Sequence, residues 1–309
     1  MIYTLTTNPA IDMNFSTPTM SADAVNRTST PLYTPNGKGI NVSRVLRHFG
    51  LASQILGFFG GFTGDYIVAE LSQGGYAIHP VVIAGITRIN IFINGGQREY
   101  KFVNSGAHIS DEKQREMLRL IGQLPNMTHL IISGSLPAGI TESYYDELLS
   151  ICKHKDVAVI LDISAAKLRE LLSYKPLLIK PNDQELHDIF GLTISSDGDA
   201  LAACRMLAEK GAQNILLTLG EKGLYYYAAD TGRFYFADAP NIELVSSACA
   251  GDSCLAAFLS EFLVGGETET ALKKASATGA DVAGSEGLGE LMRVNEYMQQ
   301  ITVREVFCT

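Results

Sequence analysis

Asp252 is the residue best placed for chemistry in this sequence. It lies in SSACAGDSCLAAFLSEFL, residues 246–263, where small residues lead into a strongly apolar helical run. First-turn N–H groups of a helix lack helical acceptors and carry the positive end of the dipole. Ala250 and Gly251 therefore offer backbone donors to an anion. Asp252 at the same end is either an ordinary N-cap or a general base that takes a proton from a hydroxyl nucleophile. A second stretch is PNGKGINVSRVL at 35–46. Gly37 and Gly39 permit a tight loop entering a helix, suited to an anion or a hydroxylated ligand. It is not a phosphate loop of the Walker type, because no Ser or Thr follows Lys38. The third is LLIKPNDQEL at 177–186. Pro181 ends a buried strand, and Asn182 with Glu185 three residues later forms a capping pattern. Lys180, Asn182 and Glu185 also stand where α/β folds place ligand contacts. TLGEKGLYYY at 218–227 is a glycine turn between strands, and GSLPAG at 134–139 is a rigid loop after an apolar run.

These loops need a frame that brings them together. Short apolar runs at 2–6, 53–58, 129–133, 157–162, 177–180 and 214–219 read as strands buried on both faces of a mostly parallel sheet. Helical patterns at 39–49, 64–74, 110–122, 142–154, 164–173, 182–190, 197–210, 252–264 and 268–284 alternate with them. Such alternation predicts a layered α/β fold. Parallel strands end on one edge, so the loops that follow them converge there. Residues 86–94 and 97–103 instead alternate apolar and polar side chains around Asn94-Gly95-Gly96, a hairpin signal. With the extended stretch 10–34 they predict a small β-structure apart from the main sheet. No repeat or linker divides the chain, so residues 1–309 are expected to form one domain.

Composition narrows the partners. Lys and Arg number 24 against 33 Asp and Glu, a net charge of −9, and apolar residues make up 46%. An acidic chain without a basic run argues against nucleic acid and anionic membrane surfaces. The 5 Cys residues form no CxxC pair, which disfavours a disulfide framework or zinc site and fits a reducing, cytoplasmic setting. No signal peptide or membrane span is expected.

The motifs together resemble the ribokinase-like (PfkB) carbohydrate kinases along essentially the whole chain. TTNPAIDMNF at 6–15, VNR at 25–27, GKGINVSRVL at 37–46, GGFTG at 60–64, TRIN at 87–90, SGSLPAG at 133–139, KPNDQEL at 180–186, TLGEKG at 218–223 and AGDS at 250–253 occur in the family's order. The opening motifs are similar to the branch that contains 1-phosphofructokinase and tagatose-6-phosphate kinase. The resemblance implies a three-layer α/β/α sandwich with a mostly parallel central sheet and a small β-lid at about 10–34 and 86–104. It implies phosphorylation of a ketohexose phosphate by ATP with Mg²⁺, with fructose 1-phosphate the expected acceptor. Tagatose 6-phosphate and fructose 6-phosphate are alternatives within the family.

By position, the resemblance makes Asp252 the catalytic base, with Ala250 and Gly251 forming the anion hole. It puts Asp12, Gly37, Lys38, Gly39 and Asn41 at the sugar, and Arg27 and Arg88 at its phosphate. Lys180, Asn182, Glu185, Thr218, Gly220, Glu221, Lys222 and Gly223 fall on the ATP side, with Glu185 acting indirectly on Mg²⁺. A homodimer through the lid is also expected. The sequence departs from the family where Asn36 and Cys249 replace the usual glycines. Those departures leave open a sugar-phosphate-binding regulator with impaired catalysis. A kinase of an unphosphorylated sugar would leave Arg27 and Arg88 without a substrate anion.

Overall fold

The computed structural model describes residues 1–96 and 98–307. Gln97, the first residue of the second expected hairpin strand, lies outside them, as does Cys308. In chain order the elements are β1 (Ile2–Thr6), β2 (Ala10–Thr17), β3 (Leu32–Asn36), α1 (Lys38–His48), β4 (Ser53–Gly60), α2 (Gly61–Gln73), β5 (Ala77–Ile83), β6 (Arg88–Gly95) and β7 (Arg98–Phe102). Then come α3 (Asp111–Gln123), β8 (His129–Ser133), α4 (Ser143–His154), β9 (Ala158–Asp162), α5 (Leu168–Leu171), β10 (Leu178–Ile179), α6 (Asp183–Glu185), α7 (Asp197–Glu209) and β11 (Asn214–Thr218). The chain continues with β12 (Leu224–Ala228), β13 (Phe234–Ala237), α8 (Ala250–Phe262), α9 (Thr268–Ala283), α10 (Val294–Met298) and β14 (Val303–Glu305).

A 10-stranded sheet has the order β14-β13-β12-β11-β10-β9-β8-β1-β4-β5. The strands from β11 to β5 are parallel, and β12, β13 and β14 extend the sheet antiparallel. Strand alternation sends side chains to two cores. Tyr3, Leu5, Leu130, Ile132, Leu161 and Leu217 pack with Met117, Leu148 and Leu207 from α3, α4 and α7. Ile2, Ile131, Ile160 and Leu216 face the other way, against Val42, Leu255 and Leu272 from α1, α8 and α9. This is the expected three-layer ribokinase-like architecture. Among the described residues no helix is long and apolar enough to cross a membrane.

A 4-stranded sheet, order β3-β2-β6-β7, stands apart. Its register pairs Ala10 with Arg88, Asp12 with Asn90 and Asn14 with Phe92, so these residues share one face. The opposite face carries Ile11 and Ile89, which pack on Ile67 and Leu71 of α2. Further along that face, Tyr33, Met13, Ile91 and Phe102 form one apolar row across all its strands.

Some expected elements differ. The helix expected at 164–173 is only α5, continued by a 3₁₀ turn at Leu172–Tyr174. Ser164 stays outside it and donates to Glu185. The helix expected at 182–190 is the short α6 followed by a π-helical turn, Leu186–Phe190, which Gly191 closes at φ 72°. β5 is an additional strand. It contains Pro80, and it can do so because it is a sheet edge.

Candidate active site

The parallel strands end where the sequence pattern predicts, on one edge. A cavity of about 1020 Å³ opens there, lined by Thr6, Ser133, Lys180 and Thr218 at strand ends, by the start of α8, and by Asp12, Arg88 and Asn90 of the small sheet.

The loop into α1 explains two glycines by different means. Gly37 has φ 149°, and a Cβ there would fall 2.4 Å from Thr6 Cγ2. At Gly39 a Cβ would meet Thr6 Oγ1 at 2.6 Å and the Leu5 carbonyl at 2.9 Å. The close approach lets Thr6 Oγ1 accept from the Ile40 N–H at 3.0 Å. Gly37 and Lys38 line the cavity. Gly39 does not, and its role here is packing against β1 rather than ligand contact.

Asp252 lies in the first turn of α8 and is 5% exposed. Asn41 Nδ2 donates to its Oδ2 at 3.0 Å and to Asn36 Oδ1 at 2.8 Å. Asn36 Nδ2 in turn donates to Asp12 Oδ2, and Asn90 Nδ2 donates to Asp12 Oδ1 at 2.9 Å. A chain of amides thus joins the two carboxylates across the cavity floor. Burial pushes the Asp252 carboxyl up to about 6; Asp162 adds to this, while Lys38, Lys180 and the Asn41 bond oppose it. Burial also raises the Asp12 carboxyl, against the bonds from Asn90 and Asn36 and the charge of Arg88. A carboxyl tuned toward neutrality beside free helix amides suits general-base work on a hydroxyl. Cys249 precedes the helix at φ 62°, a left-handed conformation costly for a residue with a Cβ. Burial pushes its thiol up to about 12, so it stays protonated.

Motif reading missed Asp162, which does not itself line the cavity but holds two lysines that do, Lys38 and Lys180. Asp162 closes β9, is 1% exposed, and lies 3.0 Å from Lys180 Nζ and 3.6 Å from Lys38 Nζ. Burial alone would raise its carboxyl, but the two lysines hold it below the ordinary value. Burial would likewise lower the Lys180 ammonium, but Asp162 and Glu185 outweigh it and raise it. The available signal was an acidic residue ending an otherwise apolar strand. Asn182 and Glu185 form a complete capping box: Asn182 Oδ1 accepts from the Glu185 N–H at 2.7 Å, and Glu185 Oε2 accepts from the Asn182 N–H at 3.0 Å. Both residues also line the cavity, so the structural and ligand readings coexist.

Thr218, Gly220, Glu221, Lys222 and Gly223 line the far end. Gly223 sits at φ 103°, where a Cβ would fall 2.1 Å from the Ala237 carbonyl. Opposite them are Pro240, Ile242 and Leu244, with Ala275, Gly279 and Ala283 on one face of α9. The sequence reading did not include this wall; its signal is small residues at four-residue spacing. Arg88 lines the cavity, donating from Nη1 to Asn104 O at 3.1 Å and from Nη2 to Asn8 O at 3.0 Å. Arg27 does not line it. Its side chain is exposed on the stretch between β2 and β3, and its carbonyl accepts from Thr17.

Residues 6–294 match the pfkB family carbohydrate kinase pattern. A D-tagatose-1-phosphate kinase from Klebsiella oxytoca is 49% identical over 98% of this chain and 99% of that relative. A 1-phosphofructokinase from Bacillus subtilis is 34% identical over 97% of both. The structure of phosphofructokinase-2 from Escherichia coli in complex with fructose-6-phosphate superposes with a TM-score of 0.86 at 25% identity, covering 96% of this chain and 99% of that one. Motif order, strand-end cavity and these likenesses agree: the chain belongs to the pfkB family of carbohydrate kinases.

Proposed function

We propose that this chain transfers the γ-phosphoryl group of ATP to the 6-hydroxyl of a ketohexose 1-phosphate, D-tagatose 1-phosphate in preference to D-fructose 1-phosphate. The observation that carries the chemistry is Asp252, buried at the head of α8 and tied through Asn41 and Asn36 to Asp12 in one cavity. The choice of sugar follows the stronger likeness to the tagatose-1-phosphate enzyme, 49% against 34%. It departs from the fructose 1-phosphate expected from motifs alone.

Asp12 and Asn90 accept and donate to sugar hydroxyls, and Asp252 receives the proton of the attacking hydroxyl. Amides of Ala250 and Gly251 face the transferring phosphoryl group, where charge develops. Arg88 Nε, buried and without a partner among the described residues, is a donor left for the substrate phosphate. The cavity fits a nucleoside triphosphate, with a small-residue wall for the base and Lys180 for phosphate oxygens. Among the described residues no cluster of acidic, His or Cys side chains forms a complete metal cage. That suits Mg²⁺ held mainly by phosphates and water, with Glu185 in support, to neutralise phosphate charge.

The small sheet acts as a lid, and its apolar row pairs two copies into a homodimer. Tyr33 and Phe102 on that row are 46% and 47% exposed. Ile91→Glu should make the protein sediment as a monomer; an unchanged sedimentation coefficient rejects the pairing. The described cysteines are free thiols, which fits a cytoplasmic setting.

The functional test is ADP release with tagatose 1-phosphate, fructose 1-phosphate, tagatose 6-phosphate, fructose 6-phosphate and the free sugars. The highest kcat/KM should fall on tagatose 1-phosphate. A 6-phosphate or free sugar as best acceptor overturns the reading, and tight sugar binding without turnover favours the regulator.

A further inference from the structure

Asn36 stands at the junction of the two halves of the site. It ends β3, and it lines both the main cavity and a smaller one of about 200 Å³ beside it. Its Oδ1 accepts from the Gly37 N–H at 2.5 Å and from Asn41 Nδ2 at 2.8 Å, while its Nδ2 donates to Asp12. This amide has one workable orientation. Reversed, it would set NH₂ against two donors and a carbonyl oxygen against a carboxylate. Asn41 is fixed in the same way, because its Nδ2 donates to both Asn36 and Asp252.

We propose that Asn36 is a positioning residue that sets sugar specificity by holding Asp12 in register with the base. The proposal rests on the reading of the cavity as a ketohexose phosphate site. Among the described residues Asn36 supplies the one side-chain donor to Asp12 Oδ2, which leaves that oxygen a second lone pair for a sugar hydroxyl in the cavity that Asp12 lines. Asn41 keeps Cys249 Sγ at 3.3 Å as a further acceptor, so the base itself depends less on Asn36.

Three variants separate this role from space filling. Asn36→Gly removes the amide, Asn36→Leu keeps the volume without the donor, and Asn36→Asp puts a second carboxylate against Asp12. Loss of a bond to a charged group predicts a rise of about tenfold or more in the sugar KM for the Gly and Leu variants. The Asp variant should be worse still, since like charges repel. The KM for ATP should stay within about twofold and kcat within about threefold, while the preference between the tagatose and fructose phosphates shrinks. A space-filling role ranks the variants the other way, with Asp and Leu close to wild type and Gly worst. That ranking, or a parallel rise in the KM for ATP, overturns the proposal. Thermal unfolding identifies any variant that fails to fold; the Gly and Leu pair then carries the ranking alone. The kinetics are read on whichever acceptor the wild-type chain phosphorylates, so a wrong sugar assignment shows in the wild type and a wrong role for Asn36 shows in the variants.

Discussion

The two sheets of this molecule are built on different rules. In the large sheet, β1 is buried at every residue and β8 at nearly every one. At its cavity-side strand ends Asp162 and Lys180 are paired in near-complete burial. In the small sheet only one face meets the cavity, and β7 has no fully buried residue. The large sheet thus offers fixed charges in a rigid frame, suited to phosphates whose geometry never varies. The small sheet offers Asp12, Asn90 and Arg88 on strands held from one side, suited to a sugar that must enter and leave.

Substitutions should separate the two regions. The largest effect is expected at Asp252. Asp252→Asn should lower kcat by about 10²–10⁴, the range for loss of a general base. Wild-type kcat should fall as pH drops below about 6, where the carboxyl takes up a proton. Stability should move in the opposite sense. The native state binds that proton more tightly than the unfolded chain, so wild-type stability declines as pH rises from about 4 to about 6. Above pH 6, Asp252→Asn is expected to be more stable, by up to about 3 kcal/mol. Equal unfolding midpoints at pH 5 and pH 8 for the two proteins would contradict this.

Next is Lys180→Met, which leaves Asp162 with Lys38 alone. Losing one partner of a buried pair should cost about 3–5 kcal/mol in urea unfolding and raise the KM for ATP. On the small sheet, Arg88→Ala should instead raise the KM for the sugar phosphate by about tenfold while hardly moving the ATP value. If both substrates respond equally, the division between the sheets is wrong. The smallest change is Cys249→Gly. Relief of the left-handed conformation, about 1 kcal/mol, is offset by lost packing and a freer unfolded chain, so the midpoint should shift by no more than a few degrees.

The contrast also governs what was legible in the sequence. Buried parallel strands are continuous apolar runs, so β1, β8, β9 and β11 could be read within a residue or two, and with them the edge where the loops meet. Motifs located Asp252, Asn41, Lys180 and Glu185 because their spacing is local. Asp162 was hidden because its partners are distant in sequence and only the fold brings them together. Gly39 looked like a ligand contact because a packing glycine and a binding glycine read alike. Arg27 was placed by its motif neighbours, whereas its side chain lies on the exposed β2–β3 connection. The wall on α9 escaped because Ala and Gly at four-residue spacing also describe an ordinary packed helix.

The order of the layers bears on how the chain is made. Ile2 and Val42 belong to a core completed by Leu255 and Leu272 of α8 and α9. During synthesis, one face of the sheet therefore has only α1 over part of it until nearly the whole sequence through Ala283 has left the ribosome. For most of that time the emerging protein presents a sticky apolar surface, the state that chaperones bind and that aggregates when they are scarce.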